Sequence, residues 1–204
     1  GTRHPDEYGK RVTKEIGESI VDNKITIVSG MARGIDSIAH YSAIKKNSRT
    51  IAVLGTSLDT IYPAENRSLM KKIQENGAVI SEFLVGKKMV PGNFVMRNRI
   101  ISGLSRGVIV TQASNKSGAL ITAYNANTQN REVFAIPGNI LNNRYGGCHR
   151  LIKTGAKLVE SFEDIISEFP QLQNKLKKQV NWIEENANNI KLTDVEKKVI
   201  NTLT

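Results

Sequence analysis

Ser29-Gly30-Met31-Ala32-Arg33-Gly34-Ile35-Asp36 directly follows the apolar run Ile25-Thr26-Ile27-Val28. The run predicts a buried strand, and the glycines mark the turn through which it passes into a helix. The first N–H groups of a helix have no partner within it and carry the positive end of its dipole, so such a junction attracts anions. Arg33 adds a full positive charge, and Gly30 and Gly34 let the main chain approach a ligand closely. The same octapeptide also reads as a plain strand-to-helix turn in which Asp36 caps the helix. Both readings require a strand followed by a helix, and that unit decides the fold.

Outward from it, the runs Ile51–Leu54, Ala78–Ser81, Val108–Thr111 and Val133–Ile136 repeat the pattern. They are rich in Val and Ile without polar alternation, as expected of strands covered by helices on both faces, so the reading is a doubly wound, mostly parallel α/β sheet. Helices are expected at Tyr8–Asn23, Asp36–Lys46, Ala64–Glu75, Arg97–Leu104, Ala119–Thr128 and Phe162–Glu168. No strand precedes Gly1-Thr2-Arg3, where this fold normally has one, and a natural first strand is expected just ahead of it. Residues 1–170 read as one domain. Residues 171–191, polar, basic and then rich in Glu and Asn, read as a linker. Residues 192–204, with Thr193 placed to cap a helix, fit either the start of a further small domain or a helix docking on the main one.

The chain has 204 residues, 39% of them hydrophobic, enough for one substantial α/β core. Its 29 Lys+Arg against 19 Asp+Glu give a net charge of +10, which favours a polyanionic partner such as nucleic acid. A single cysteine, Cys148, excludes an internal disulfide, and three histidines without a second thiol speak against structural zinc. There is neither a bilayer-length apolar stretch nor a signal pattern, so a cytoplasmic protein without cofactor or membrane partner is expected.

Other chemistry-bearing groups also fall where strands end, the edge at which open α/β sheets bind ligands. They are Gly1-Thr2-Arg3, the segment Pro91-Gly92-Asn93-Phe94-Val95-Met96-Arg97-Asn98-Arg99-Ile100-Ile101, Lys116-Ser117-Gly118 at a helix start, and Ile136-Pro137-Gly138-Asn139. The glycines of 30–34 lack the G-x-G-x-x-G spacing of dinucleotide sites, and the P-loop signature is absent. Asp36 and His40 share a helix face but read as a cap and a packed histidine. Cys148 beside His149 reads as an inert thiol, because neighbours on a helix do not face each other.

Taken together, these blocks resemble the DNA-processing protein A (DprA/Smf) family. Its pattern is matched by Gly1-Thr2-Arg3, Ser29 to Asp36, Leu54-Gly55-Thr56-Ser57-Leu58-Asp59-Thr60-Ile61-Tyr62-Pro63-Ala64-Glu65-Asn66, Ser81-Glu82-Phe83, Gly92 to Ile101, Lys116 to Ala123 and Ile136-Pro137-Gly138. The resemblance implies an extended Rossmann-like domain that forms homodimers, binds single-stranded DNA during natural transformation and helps load the RecA recombinase, without catalytic chemistry. It also implies that residues 192–204 begin a winged-helix-like domain. By the same resemblance, the DNA contacts map onto Arg3, the loop residues Ser29, Gly30, Ala32, Arg33 and Gly34, then Phe94, Arg97 and Arg99, and Lys116, Ser117 and Gly118.

The residues support that map on physical grounds, since a single strand needs cations for its phosphates and an aromatic face for an unstacked base, here Phe94. One arginine of Arg97-Asn98-Arg99 has the alternative of facing inward, and Arg97 is favoured as the DNA contact. Asp59, Tyr62, Pro63 and Glu65 read as a structural turn. Contact with about five phosphates gives a slope of log K against log salt of roughly −3 to −4. The competing class is a Rossmann-like enzyme such as a nucleotide phosphoribohydrolase, which needs a catalytic glutamate. The corresponding segment, Ser117 to Tyr124, contains no acid.

Overall fold

The computed structural model describes residues 1–174 and 176, and the expectations for residues 192–204 and for most of 171–191 lie outside them. The chain divides into two units, Gly1–Ile165 and Ile166–Thr204. The first holds the sheets. In chain order the elements of the chain are α1 (Glu7–Asp22), β1 (Ile27–Ser29), α2 (Ile35–Lys45), β2 (Thr50–Leu54), a 3-10 turn (Ala64–Asn66) leading into α3 (Arg67–Asn76), and β3 (Ala78–Ser81). There follow α4 (Pro91–Leu104), β4 (Gly107–Val110), α5 (Ala119–Thr128), β5 (Glu132–Ala135), α6 (Gly146–Lys153), β6 (Lys157–Leu158) and α7 (Phe162–Ile166).

Among the described residues all the strand pairs are parallel. They form two three-stranded sheets, β1-β2-β3 and β4-β5-β6, in register Val28↔Ile51, Ile51↔Ala78, Ile109↔Phe134 and Phe134↔Lys157. Helices connect successive strands, as parallel pairing demands, and the result is a Rossmann-like, doubly wound α/β fold. The five expected runs each form a strand. One core gathers Met31, Ala52, Leu54, Leu69, Met70 and Ile73 between the first sheet and α3. The other gathers Val110, Ala113, Ala123, Ala135, Tyr145 and Cys148 around the second.

Two element expectations need correction, and two elements are additional to those expected. Helix α4 starts at Pro91, six residues before the expected Arg97, because proline at a first helical position loses no bond and its fixed φ already suits a helix. Helix α6 and strand β6 are additional to the expected elements. Gly147 is required because a Cβ there would lie 2.6 Å from the Ser114 carbonyl, so the helix can approach that loop only without a side chain. Helix α7 ends at Ile166 and not at Glu168.

Two polar devices lock the strand ends. The Thr2 N–H donates to the Gln112 carbonyl at 2.9 Å, and the Thr2 carbonyl accepts from Ile35 N–H at the start of α2, so residues 1–3 stitch the end of β4 to a helix of the other half-sheet. Asp6, the N-cap of α1, accepts from Gly9 N–H and the Tyr145 hydroxyl at 2.8 Å each, from Gln112 Nε2 at 2.9 Å and from Asn142 Nδ2 at 3.0 Å. Burial alone would raise its pKa; these four donors hold it below the ordinary carboxylate value.

Candidate functional site

The loop after β1 is held from every side. Met31 takes a left-handed backbone (φ 54°) and drops its side chain wholly into the core. Asn66 Nδ2 donates to its carbonyl at 2.8 Å, and Ser37 Oγ donates to the Ala32 carbonyl at 2.7 Å. Gly34 has φ 74°, and a Cβ on it would lie 2.5 Å from the Thr2 carbonyl oxygen, so both conformation and space demand glycine.

Gly30 is needed for a different reason from the one the sequence suggests. A Cβ there would meet the Arg97 guanidinium at 2.6–2.7 Å, so the packing of Arg97 by itself requires glycine. Arg97 is only 4% exposed, and its Nη1 donates to the carbonyls of Gly30, at 2.8 Å, and Val53. Of the arginine pair on α4, Arg97 is therefore the one that faces inward. Asn93 and Arg97 are one helical turn apart, both buried, on the stripe that α4 turns to the strand ends.

An anion already occupies the start of α2, and it is the protein's own. Asp36 Oδ2 accepts from Gly30 N–H at 3.1 Å, and the Ala32 backbone also bonds to this carboxylate. Burial works against the charge, but neighbouring positive groups, Arg97 among them, hold the Asp36 pKa below its ordinary value. Burial conversely pushes that of Arg97 down, and Asp36 partly restores it. The protein's own carboxylate thus takes up main-chain N–H groups of this junction.

His40, one turn further along α2, is fully buried. Thr50 Oγ1 donates to the Ile27 carbonyl at 2.9 Å, so it accepts from His40 Nδ1–H at 2.7 Å, which leaves the buried Nε2 as a bare acceptor without a partner. Burial lowers its pKa to about 4, and Arg97 adds to the effect against the pull of Asp36. An unfolded histidine takes its proton near pH 6.5, so stability drains away as pH falls from there toward about 4, by about 3 kcal/mol from this group. In urea melts across that window, His40→Leu flattens the pH dependence, whatever it costs at neutral pH.

Outside this framework an open cleft of about 310 Å³, counting the solvent at its mouth, is lined by Arg3, Gly30, Ala32, Arg33, Tyr62, Pro63 and Phe94. Phe94 lies in the first turn of α4, half-buried, and the Cα of Gly55 at the end of β2 backs its ring. The Tyr62 ring stands 5.3 Å from it, tilted by 51°, and the Arg3 guanidinium lies 6.0 Å from its centroid. Arg33 is exposed and joined to Glu65 through both arms of its guanidinium, which raises the Arg33 pKa and lowers that of Glu65.

The structure thus brings together Arg3, Gly30, Ala32, Arg33 and Phe94, with Ser29 as the last residue of β1 and Gly34 at the far end of the loop. Lys116 and Gly118 are exposed, Ser117 half-buried, and none of the three lines the cleft. Asn98 joins Gly118 to the inward-facing arginine of α4, because its Oδ1 accepts from Arg97 Nε at 3.2 Å and its Nδ2 donates to the Gly118 carbonyl at 3.4 Å. Arg99 is exposed, lies outside the lining and pairs with Glu82. Tyr62 and Pro63, read as structural, are cleft walls. The available signal was an aromatic residue in a strand-end loop, the same signal that Phe94 gives. Among the described residues no group of three His, Cys, Asp or Glu could hold a metal, and no helix is long and apolar enough to cross a membrane.

A Rossmann-like domain whose strand ends carry a buried anion site and an aromatic, arginine-lined cleft defines the class. Within that class the chain belongs to the DNA recombination-mediator protein A family, which it matches over residues 1–170. It is 49% identical over 167 residues to the protein Smf of Synechocystis, covering 82% of this chain and 42% of that protein. The X-ray structure of DNA processing protein A from Streptococcus pneumoniae superposes with a TM-score of 0.77 at 43% identity, covering 83% of this chain and 59% of that one. A structure of the Helicobacter pylori protein, concerned with its mode of binding single-stranded DNA, gives 0.76 at 33% identity, covering 84% and 78%. The chain spans about half the length of the curated relatives it matches.

Proposed function

We propose that this chain is the single-stranded-DNA-binding core of a recombination mediator of natural transformation, acting in the cytoplasm without catalytic chemistry. The observation that carries this reading is the cleft in which Phe94 offers a ring beside Arg3 and Arg33. An unpaired base stacks on the ring, and the phosphates on either side of it lie along the arginines and toward Lys116. Arg97 shapes the loop from beneath and does not touch the strand. Self-association as a homodimer and delivery of the strand to RecA belong to the same reading and rest on family membership.

Anisotropy titration with labelled oligo(dT) across a salt series tests it. With Arg97 turned inward and two exposed arginines paired to carboxylates, the expected slope of log K against log salt is about −2 to −3, shallower than a count of five phosphates gives. Duplex of the same length binds more weakly, because its bases are not free to stack on the ring. Duplex binding as tight as the single strand, or no binding to oligo(dT) at low salt, overturns the proposal.

A further inference from the structure

Two of the exposed arginines at the strand ends, Arg33 and Arg99, already hold carboxylates. Arg33 Nε bonds Glu65 Oε1 and Arg33 Nη2 bonds Glu65 Oε2 at 2.9 Å, a planar fork-to-fork pair. Arg99 pairs with Glu82 through a single contact from its Nη2. The Arg33 and Glu65 side chains remain 51% and 52% exposed, so a ligand can approach their contact from solvent. Glu65 is presented by the 3-10 turn Ala64–Asn66, whose Asn66 also ties down the Met31 carbonyl, and Tyr62 and Pro63 of the same segment wall the cleft. A carboxylate and a phosphate offer the guanidinium fork the same pair of oxygens.

We infer that Glu65 is a resident phosphate surrogate: it holds Arg33 in the free protein, and the incoming strand displaces it. This rests on the reading that the cleft binds single-stranded DNA. Arg33 then contributes to binding only the difference between a phosphate and Glu65. That exchange weakens the complex and makes it less dependent on salt. A protein that must pass its strand on benefits from both effects, because the carboxylate can return to Arg33 as the phosphate leaves. Glu65 is therefore a positioning residue that tunes release, and not only the surface turn the sequence suggests.

The test compares the full chain with Glu65→Gln, with Glu65→Gln combined with Arg33→Gln, and with Asp22→Asn, in oligo(dT) titrations over a salt series. Asp22 pairs with Lys46 at 3.1 Å, outside the cleft, so Asp22→Asn makes the same change in charge elsewhere. Expected is binding about fivefold tighter in Glu65→Gln and a salt slope steeper by about 0.7. Both changes vanish when Arg33 is also replaced, and both are much smaller in Asp22→Asn. Unchanged or weaker binding by Glu65→Gln with a parallel salt dependence, while the unaltered chain binds normally, overturns this inference alone. No binding by the unaltered chain overturns the proposed function and the inference with it.

Discussion

Phe94→Ala weakens binding of oligo(dT) about tenfold to a hundredfold, the loss expected when one base loses its stacking partner. The measurement is an anisotropy titration against the unaltered chain at one salt concentration. The ring is half-buried, with Gly55 behind it and Tyr62 beside it, so truncation also opens space in the cleft wall. Phe94→Leu separates the two effects, because it keeps apolar bulk against Gly55 and removes the π face. It is expected to melt within a few degrees of the parent and still bind weakly. If the leucine variant binds as tightly as phenylalanine, the ring is only packing.

Arg97→Ala destabilises the fold by about 3–5 kcal/mol, the usual cost of removing one partner from a buried charged network. The Gly30 and Val53 carbonyls lose their donor at once, and the Asp36 carboxylate, which keeps its Gly30 N–H, loses a neighbouring positive charge. Arg97→Lys restores the charge, but an ammonium on a flexible stem does not reproduce the planar donor set held between two carbonyls, so its stability falls between the two. Urea unfolding curves rank the three chains. A variant lacking the guanidinium that unfolds at the parent's midpoint removes Arg97 from the framework of the loop.

Much of the fold could be read from local chemistry because the signals were local. A β-branched run followed by a glycine turn marks a strand and a helix start wherever it occurs, and each of the five runs became a strand. What escaped depended on contacts distant in sequence. Helix α6, whose Gly147 packs against the 113–114 backbone, is one such element. The inward turn of Arg97 follows from helical phase once α4 begins at Pro91, and a later start hides that phase. The cleft's composition was half legible. Arg3, Arg33 and Phe94 stood out as strand-end residues, whereas the masking of Arg33 by a carboxylate 32 positions away could be seen only in three dimensions.

Cys148, the chain's single thiol, is wholly enclosed beneath the second half-sheet, its Sγ directed at the Val110 carbonyl and its pKa raised by burial. Its reagent chemistry is therefore gated by conformation, since alkylation must wait until α6 lifts away from β4. The molecule thus carries a native clock for local opening: labelling kinetics with and without an oligonucleotide report whether cargo at the rim tightens the opposite half of the domain, with no engineered probe.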